Sequence, residues 1–121
     1  MKGNDTLLDV LCLFQFLLYQ ETGDQKWLGP FSDYMYKWIN CNDPSCTSKG
    51  LAWRLTWGSL RYAANTAFLG LVAHKHGVLN GDEAVYQFSK TQIDYMLGSS
   101  GRSFVVGFGE NPPQRPHHAA A

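Results

Sequence analysis

The side chains best suited to chemistry in this 121-residue chain gather in Trp57-Gly58-Ser59-Leu60-Arg61-Tyr62, where an indole, a guanidinium and a phenol stand in one short run. That combination suits a sugar. A pyranose ring presents apolar C–H faces to aromatic rings and hydroxyls to fixed donors such as Arg, so stacking supplies affinity and hydrogen bonds supply orientation. The same residues also fit two core aromatics and a surface charge, and on the cluster alone this plainer reading weighs more.

Other constellations carry less. His117-His118 and His74-x-His76 offer imidazoles, but no Cys or carboxylate stands at a familiar ligand spacing, and Cys41-x4-Cys46 lacks a second pair. No metal and no cofactor is expected. His74 and His76 fall near the end of a helical pattern, where they complement its negative dipole end. Gly107-x-Gly109 is followed by prolines instead of a helix, which excludes a phosphate cradle. No Gly-x-Ser-x-Gly elbow is present for a hydrolytic triad. Cys41 and Cys46 share a polar loop short enough for a small disulfide ring. Cys12, in Leu11-Cys12-Leu13-Phe14, reads as a small buried hydrophobe.

The elements that must position these residues are helical. A first helix is predicted over about Thr6 to Glu21, apolar almost all round and so buried on most sides, with Gly23 as its cap. A second follows Gly29-Pro30, with Pro30 in its first turn and Phe31, Tyr34, Met35, Trp38 and Ile39 on one face. Residues 40–58 form a long loop with a short strand near Leu51-Ala52-Trp53, and loops of that length are usually functional. Ser59 is the expected N-cap of a third helix whose apolar face is Leu60, Ala63, Ala64, Ala67, Phe68, Leu71 and Val72. A fourth runs from Asp82 to Leu97, with Gly98 as its stop and Gln87, Lys90 and Asp94 on its wet side. Two helical hairpins result, spaced as in helical-repeat or α/α-toroid architectures. From Gly101 onward, glycines and the prolines at 112, 113 and 116 make a stiff, non-helical segment without hydrogen-bonded structure, a suitable carrier for a site.

Composition narrows the function classes. Ten Lys+Arg balance ten Asp+Glu, so no strong field exists for nucleic acid or an anionic membrane. Charged residues are 17% of the chain, against roughly 25% in typical domains, while aromatics reach 14%. That excess of adhesive surface means either a binding face for apolar partners or missing structure. The apolar run from Leu7 to Tyr19 is interrupted by Asp9 and Gln15, lacks a cleavage site, and is shorter than the ~20 residues that span a bilayer.

Four longer runs resemble glycoside hydrolase family 9. They are Gly50-Leu51-Ala52-Trp53, the stretch from Trp57 to Phe68 (WGSLRYAANTAF), Gln92-Ile93-Asp94-Tyr95-Met96-Leu97-Gly98, and the stretch from Ser103 to His118 (SFVVGFGENPPQRPHH). The similarity extends over about Leu17 to His118. It implies an all-α fold, a segment of an (α/α)6 barrel made of about two helical hairpins and one Pro/Gly-rich site loop. It also implies secretion and an endo-β-1,4-glucanase activity that hydrolyses internal bonds of cellulose-like glucans by inversion. Asn4-Asp5-Thr6 is then a meaningful glycosylation sequon.

By the same resemblance Trp57, Arg61 and Tyr62 are expected to stack on and hydrogen-bond a β-1,4-glucan or cello-oligosaccharide. His117 matches the family's signature histidine, which binds a sugar hydroxyl beside the scissile bond, with Asn111 and the prolines holding its loop. Two residues later, where the family has Arg, this chain has Ala119. An inverting glycosidase needs a general acid and a general base, and the family's Asp-rich and Glu-containing motifs that supply them match nothing here. Glu110 falls at a variable position and Asp94 on a wet helix face, so neither is expected to substitute. Residues 1–121 are thus expected to be a partial catalytic domain, inactive alone and lacking the rest of its own barrel. The alternatives from other classes are a non-catalytic carbohydrate-binding helical module and a helical scaffold for protein partners.

Overall fold

The computed structural model describes residues 2–117. Its helices are α1 (Lys2–Thr22), α2 (Gln25–Ile39), α3 (Ser59–Lys75) and α4 (Glu83–Asp94), with a 3₁₀ turn at Val78–Gly81 and a π turn at Tyr95–Ser99. The main packing is α1 on α2 and α3 on α4, and α2 reaches across to both α3 and α4. The core lies between the two hairpins, around Phe31, Met35, Trp38, Ala63, Ala73 and Val85.

α1 ends at Gly23 as expected, with φ of +67° and its N–H on the Tyr19 carbonyl at 2.8 Å. Its predicted burial on most sides is overturned. Cys12 and Phe16 are buried, but Val10, Leu11, Leu13, Leu17 and Leu18 are exposed and Phe14 is 57% exposed. The reason is geometric, since α2 and part of α3 cover only one side of the helix.

α2 starts earlier than the Gly29-Pro30 pair suggests. The Asp24 carboxylate caps it by accepting from the Lys26 N–H at 3.0 Å, so Pro30 lies inside the helix. A capping carboxylate satisfies an orphan donor of the first turn. Lying beyond the first turn, Pro30 leaves the Lys26 carbonyl without its intrahelical donor and sets its ring against that carbonyl. Phe31, Tyr34, Met35 and Trp38 are buried as the spacing predicts, and Ile39 is half-buried.

In α3 the predicted cap is displaced by one residue. Gly58 is the N-cap, in the left-handed region at φ of +67°, and Ser59 is the first helical residue. The buried stripe is also rotated from the predicted face: Tyr62, Ala63, Thr66, Ala67, Leu69, Gly70 and Ala73 face inward, while Phe68 is 62% exposed. Small residues set this orientation. A Cβ on Gly70 would lie 2.2 Å from Ser89 Oγ on α4, so the two helices approach more closely there than any other side chain would permit.

α4 is capped by Asp82, whose carboxylate accepts from Ala84 N–H at 2.9 Å, and it passes into the π turn before Gly98. Residues 40–58 are irregular. The expected strand is a single antiparallel bridge between Cys46 and Ala52, closed below by a Cys41–Cys46 disulfide. Cys12 is buried and lies outside this disulfide. No described helix is long and apolar enough to cross a membrane.

Candidate functional site

Two irregular segments build the site. The first is the end of the 40–58 loop, where left-handed Gly58 turns the chain into α3 and leaves the Trp57 indole 77% exposed. The second is the segment after α4. It lacks regular structure, as its prolines require, but it is not free of hydrogen bonds as the sequence suggested. Ser103 N–H donates to the Glu110 carbonyl at 2.6 Å and Phe104 N–H to the Met96 carbonyl at 2.9 Å. Asn111 Nδ2 donates to the Gly101 carbonyl at 3.1 Å, closing the loop base.

Glycine makes this closure possible. At Gly109, with φ of +78°, a Cβ would lie 2.5 Å from the Leu97 carbonyl oxygen, so the returning strand of the loop lies directly on the π turn. Phe104 stacks on Tyr95 at 6.0 Å between centroids. The loop base is thereby fixed to the end of α4, and its prolines carry the chain to His117.

The outcome is a meeting of the two segments. The Trp57 and His117 rings lie 6.1 Å apart at 68°, edge to face. Arg61 and Tyr62 form a separate pair: the guanidinium lies 4.7 Å over the phenol ring, and Nη2 donates to the Tyr62 hydroxyl at 2.7 Å. Arg61 is exposed, but Tyr62 is only 4% exposed. A ring so enclosed has no free face for a sugar. The stacking expected of Tyr62 therefore falls away, and its visible part is to fix the guanidinium above it. His118 and Ala119 lie outside the described residues.

The remaining candidates separate clearly. Asp94 pairs with Lys90 one turn earlier on α4, and Glu110 lies exposed with its backbone carbonyl inside the loop ladder. His74, in the last turn of α3, stands 3.6 Å from the Glu83 carboxylate and packs on the Tyr86 ring at 5.3 Å. Among the described residues no group of three or more His, Cys, Asp or Glu could hold a metal ion.

One feature escaped the sequence. Beside His117 a recess of about 540 Å³ is lined by Arg102, Phe104, Val106, Pro113, Arg115 and His117, among others. Arg102 and Arg115 are thirteen positions apart (115 − 102) in an aperiodic segment, so no spacing rule brings them together. The only available signal was two arginines against one acid, Glu110, in a stretch rich in Pro and Gly.

Comparison with known proteins adds to this geometry. A profile of glycosyl hydrolase family 9 matches residues 6–121. An endoglucanase of Dictyostelium discoideum is 41% identical over 112 residues, a span covering 91% of this chain and 15% of that protein. The solved endoglucanase of the termite Nasutitermes takasagoensis superposes with a TM-score of 0.80 at 47% identity, covering 88% of this chain and 24% of the other. The cellulase Cel9M of C. cellulolyticum, solved in complex with cellobiose, superposes with a TM-score of 0.80 at 33% identity, covering 91% and 25%. The chain therefore spans a quarter or less of each of these proteins.

Proposed function

The chain belongs to glycosyl hydrolase family 9 and has the fold of a segment of its (α/α)6 barrel, and from that premise we propose that its site binds a β-1,4-glucan as part of an inverting endoglucanase. Trp57 offers an exposed indole for one pyranose face. Arg61, held by Tyr62, donates to sugar hydroxyls, and His117 bonds a hydroxyl next to the bond that is cut. The observation that carries this reading is the edge-to-face contact of Trp57 and His117. A stacking surface and a polar ring from distant parts of the chain meet where one oligosaccharide touches both.

Inversion requires an acid to protonate the leaving oxygen and a base to activate water, set roughly 6.5–9.5 Å apart. Neither Asp94, committed to Lys90, nor exposed Glu110 fits those tasks. Residues 1–121 are thus a partial catalytic domain that binds glucan and does not hydrolyse it, because positioned acid–base groups each contribute on the order of 10²–10⁴ in rate. The acid and base come from the remainder of the barrel. The Cys41–Cys46 disulfide supports export to an oxidising compartment.

Titration of the chain with cellohexaose, followed by tryptophan fluorescence, tests binding. Saturable quenching that Trp57→Ala weakens about tenfold or more is expected, the loss typical of an anchoring Trp. No response, or one unchanged in Trp57→Ala, refutes it. Release of reducing ends from carboxymethylcellulose by the 121 residues refutes the partial-domain assignment.

A further inference from the structure

We infer that the recess beside His117 is a subsite for an acidic sugar, a pyranose bearing a carboxylate within a substituted β-glucan; this rests on the glucan reading of Trp57 and His117 given above. The recess, about 540 Å³ in volume, has room for one sugar unit, and His117 belongs both to its wall and to the contact with Trp57. A chain laid along the indole therefore continues into it.

Charge selects the ligand. Arg102 and Arg115 line the recess, and no Asp or Glu does. Among the described residues the ion pairs are Lys26–Asp24, His74–Glu83 and Lys90–Asp94, and neither arginine takes part in one. Lys49 adds a further cation at the loop base, where its Nζ donates to the Ser100 carbonyl at 2.8 Å. The recess between α1 and α2 contrasts with this, since Asp33 and Asp43 there oppose Lys37 and Arg54. Guanidinium forks match carboxylate oxygens and form charge-assisted hydrogen bonds with them. Phe104, Val106 and Pro113 supply apolar wall for the C–H face of a ring. That wall favours an anion carried on a sugar over a bare one.

The test compares cellohexaose with cellohexaose in which one internal glucose is oxidised to glucuronic acid, on the full chain at low and high salt. The acidic ligand is expected to bind roughly tenfold tighter at low salt, the size of one hydrogen bond to a charged group, and high salt should remove that gain. Arg102→Gln with Arg115→Gln should abolish the gain, so that the two oligosaccharides bind the variant equally, with far-UV circular dichroism confirming the fold. Equal affinity for the two ligands overturns this subsite while the glucan reading stands. A gain that survives in the double variant overturns it likewise, as does inorganic phosphate binding as tightly as the acidic oligosaccharide. Failure of both oligosaccharides to bind overturns both proposals.

Discussion

The side chain of Gln92 on α4 accepts the buried N–H of Ala52 at 2.9 Å, and its amide nitrogen donates to the Gly50 carbonyl at 2.9 Å. One buried amide thus completes the backbone bonding of the loop that leads to Trp57, and fastens that loop to the helix whose end carries the His117 segment.

Gln92→Leu is expected to destabilise the chain by about 1–3 kcal/mol, because the Ala52 N–H is left buried without a partner. It should also weaken cellohexaose binding, while Gln92→Glu retains the acceptor for Ala52 and keeps more of both. Thermal unfolding and the fluorescence titration together check this. Unchanged melting in Gln92→Leu would mean that the loop holds itself.

Gly70 and Ser89 set the approach of α3 and α4. Ser89 Oγ is committed to the Val85 carbonyl at 2.8 Å, and Met35 Cε closes the other side at 3.1 Å from an added Cβ. Gly70→Ala is therefore expected to cost about 1–3 kcal/mol, the usual range for overpacking. Adding Ser89→Ala should recover part of the loss. A Gly70→Ala chain that melts like the parent would show that the helices separate freely.

Tyr36 on α2 donates to Asp82, the cap of α4, at 2.5 Å. This bond pushes the phenol up to about 12 from its ordinary 10. The same bond, with that from Ala84 N–H, holds the carboxyl below its ordinary 3.8. For the phenol, folded above unfolded means stability that is complete below pH 10 and lost as pH rises towards 12. For the carboxyl, folded below unfolded means stability present above about pH 4 and lost as pH falls further. Tyr36→Phe should remove the alkaline loss and reduce, without abolishing, the acid loss, since the Asp82 carboxylate still accepts from the Ala84 N–H. Melting temperature against pH for the two proteins measures it, and identical alkaline limbs would exclude the Tyr36 contribution.

Phe14 on α1 and Phe68 on α3 both present apolar rings to solvent, and Val10, Leu13 and Phe68 line one recess between the helices. Phe14→Ser with Phe68→Ser should leave melting within about 0.5 kcal/mol, as for surface substitutions. It should also reduce self-association, read by light scattering against concentration. A chain that unfolds on this change would place both rings in the core.

Helical periodicity was enough to identify four helices and most of the α2 face, because Phe31, Tyr34, Met35 and Trp38 repeat at the spacing that one covered face requires. The roles expected of Trp57, Arg61, Tyr62 and His117 came instead through the resemblance of their runs to glycoside hydrolase family 9, since on the cluster alone two core aromatics and a surface charge weighed more. Packing decided the rest. The side of α1 that is covered depends on what lies beside it. The rotation of α3 follows from Gly70 fitting against Ser89, a relation between residues 19 positions apart (89 − 70). Tyr62 looked like a sugar platform and became the support of Arg61, because burial is a property of the assembled core. The meeting of Trp57 with His117, and the sharing of one recess by Arg102 and Arg115, arise where an aperiodic loop folds back through glycines. Local sequence encodes no distance for such contacts, and only the closed chain fixes them.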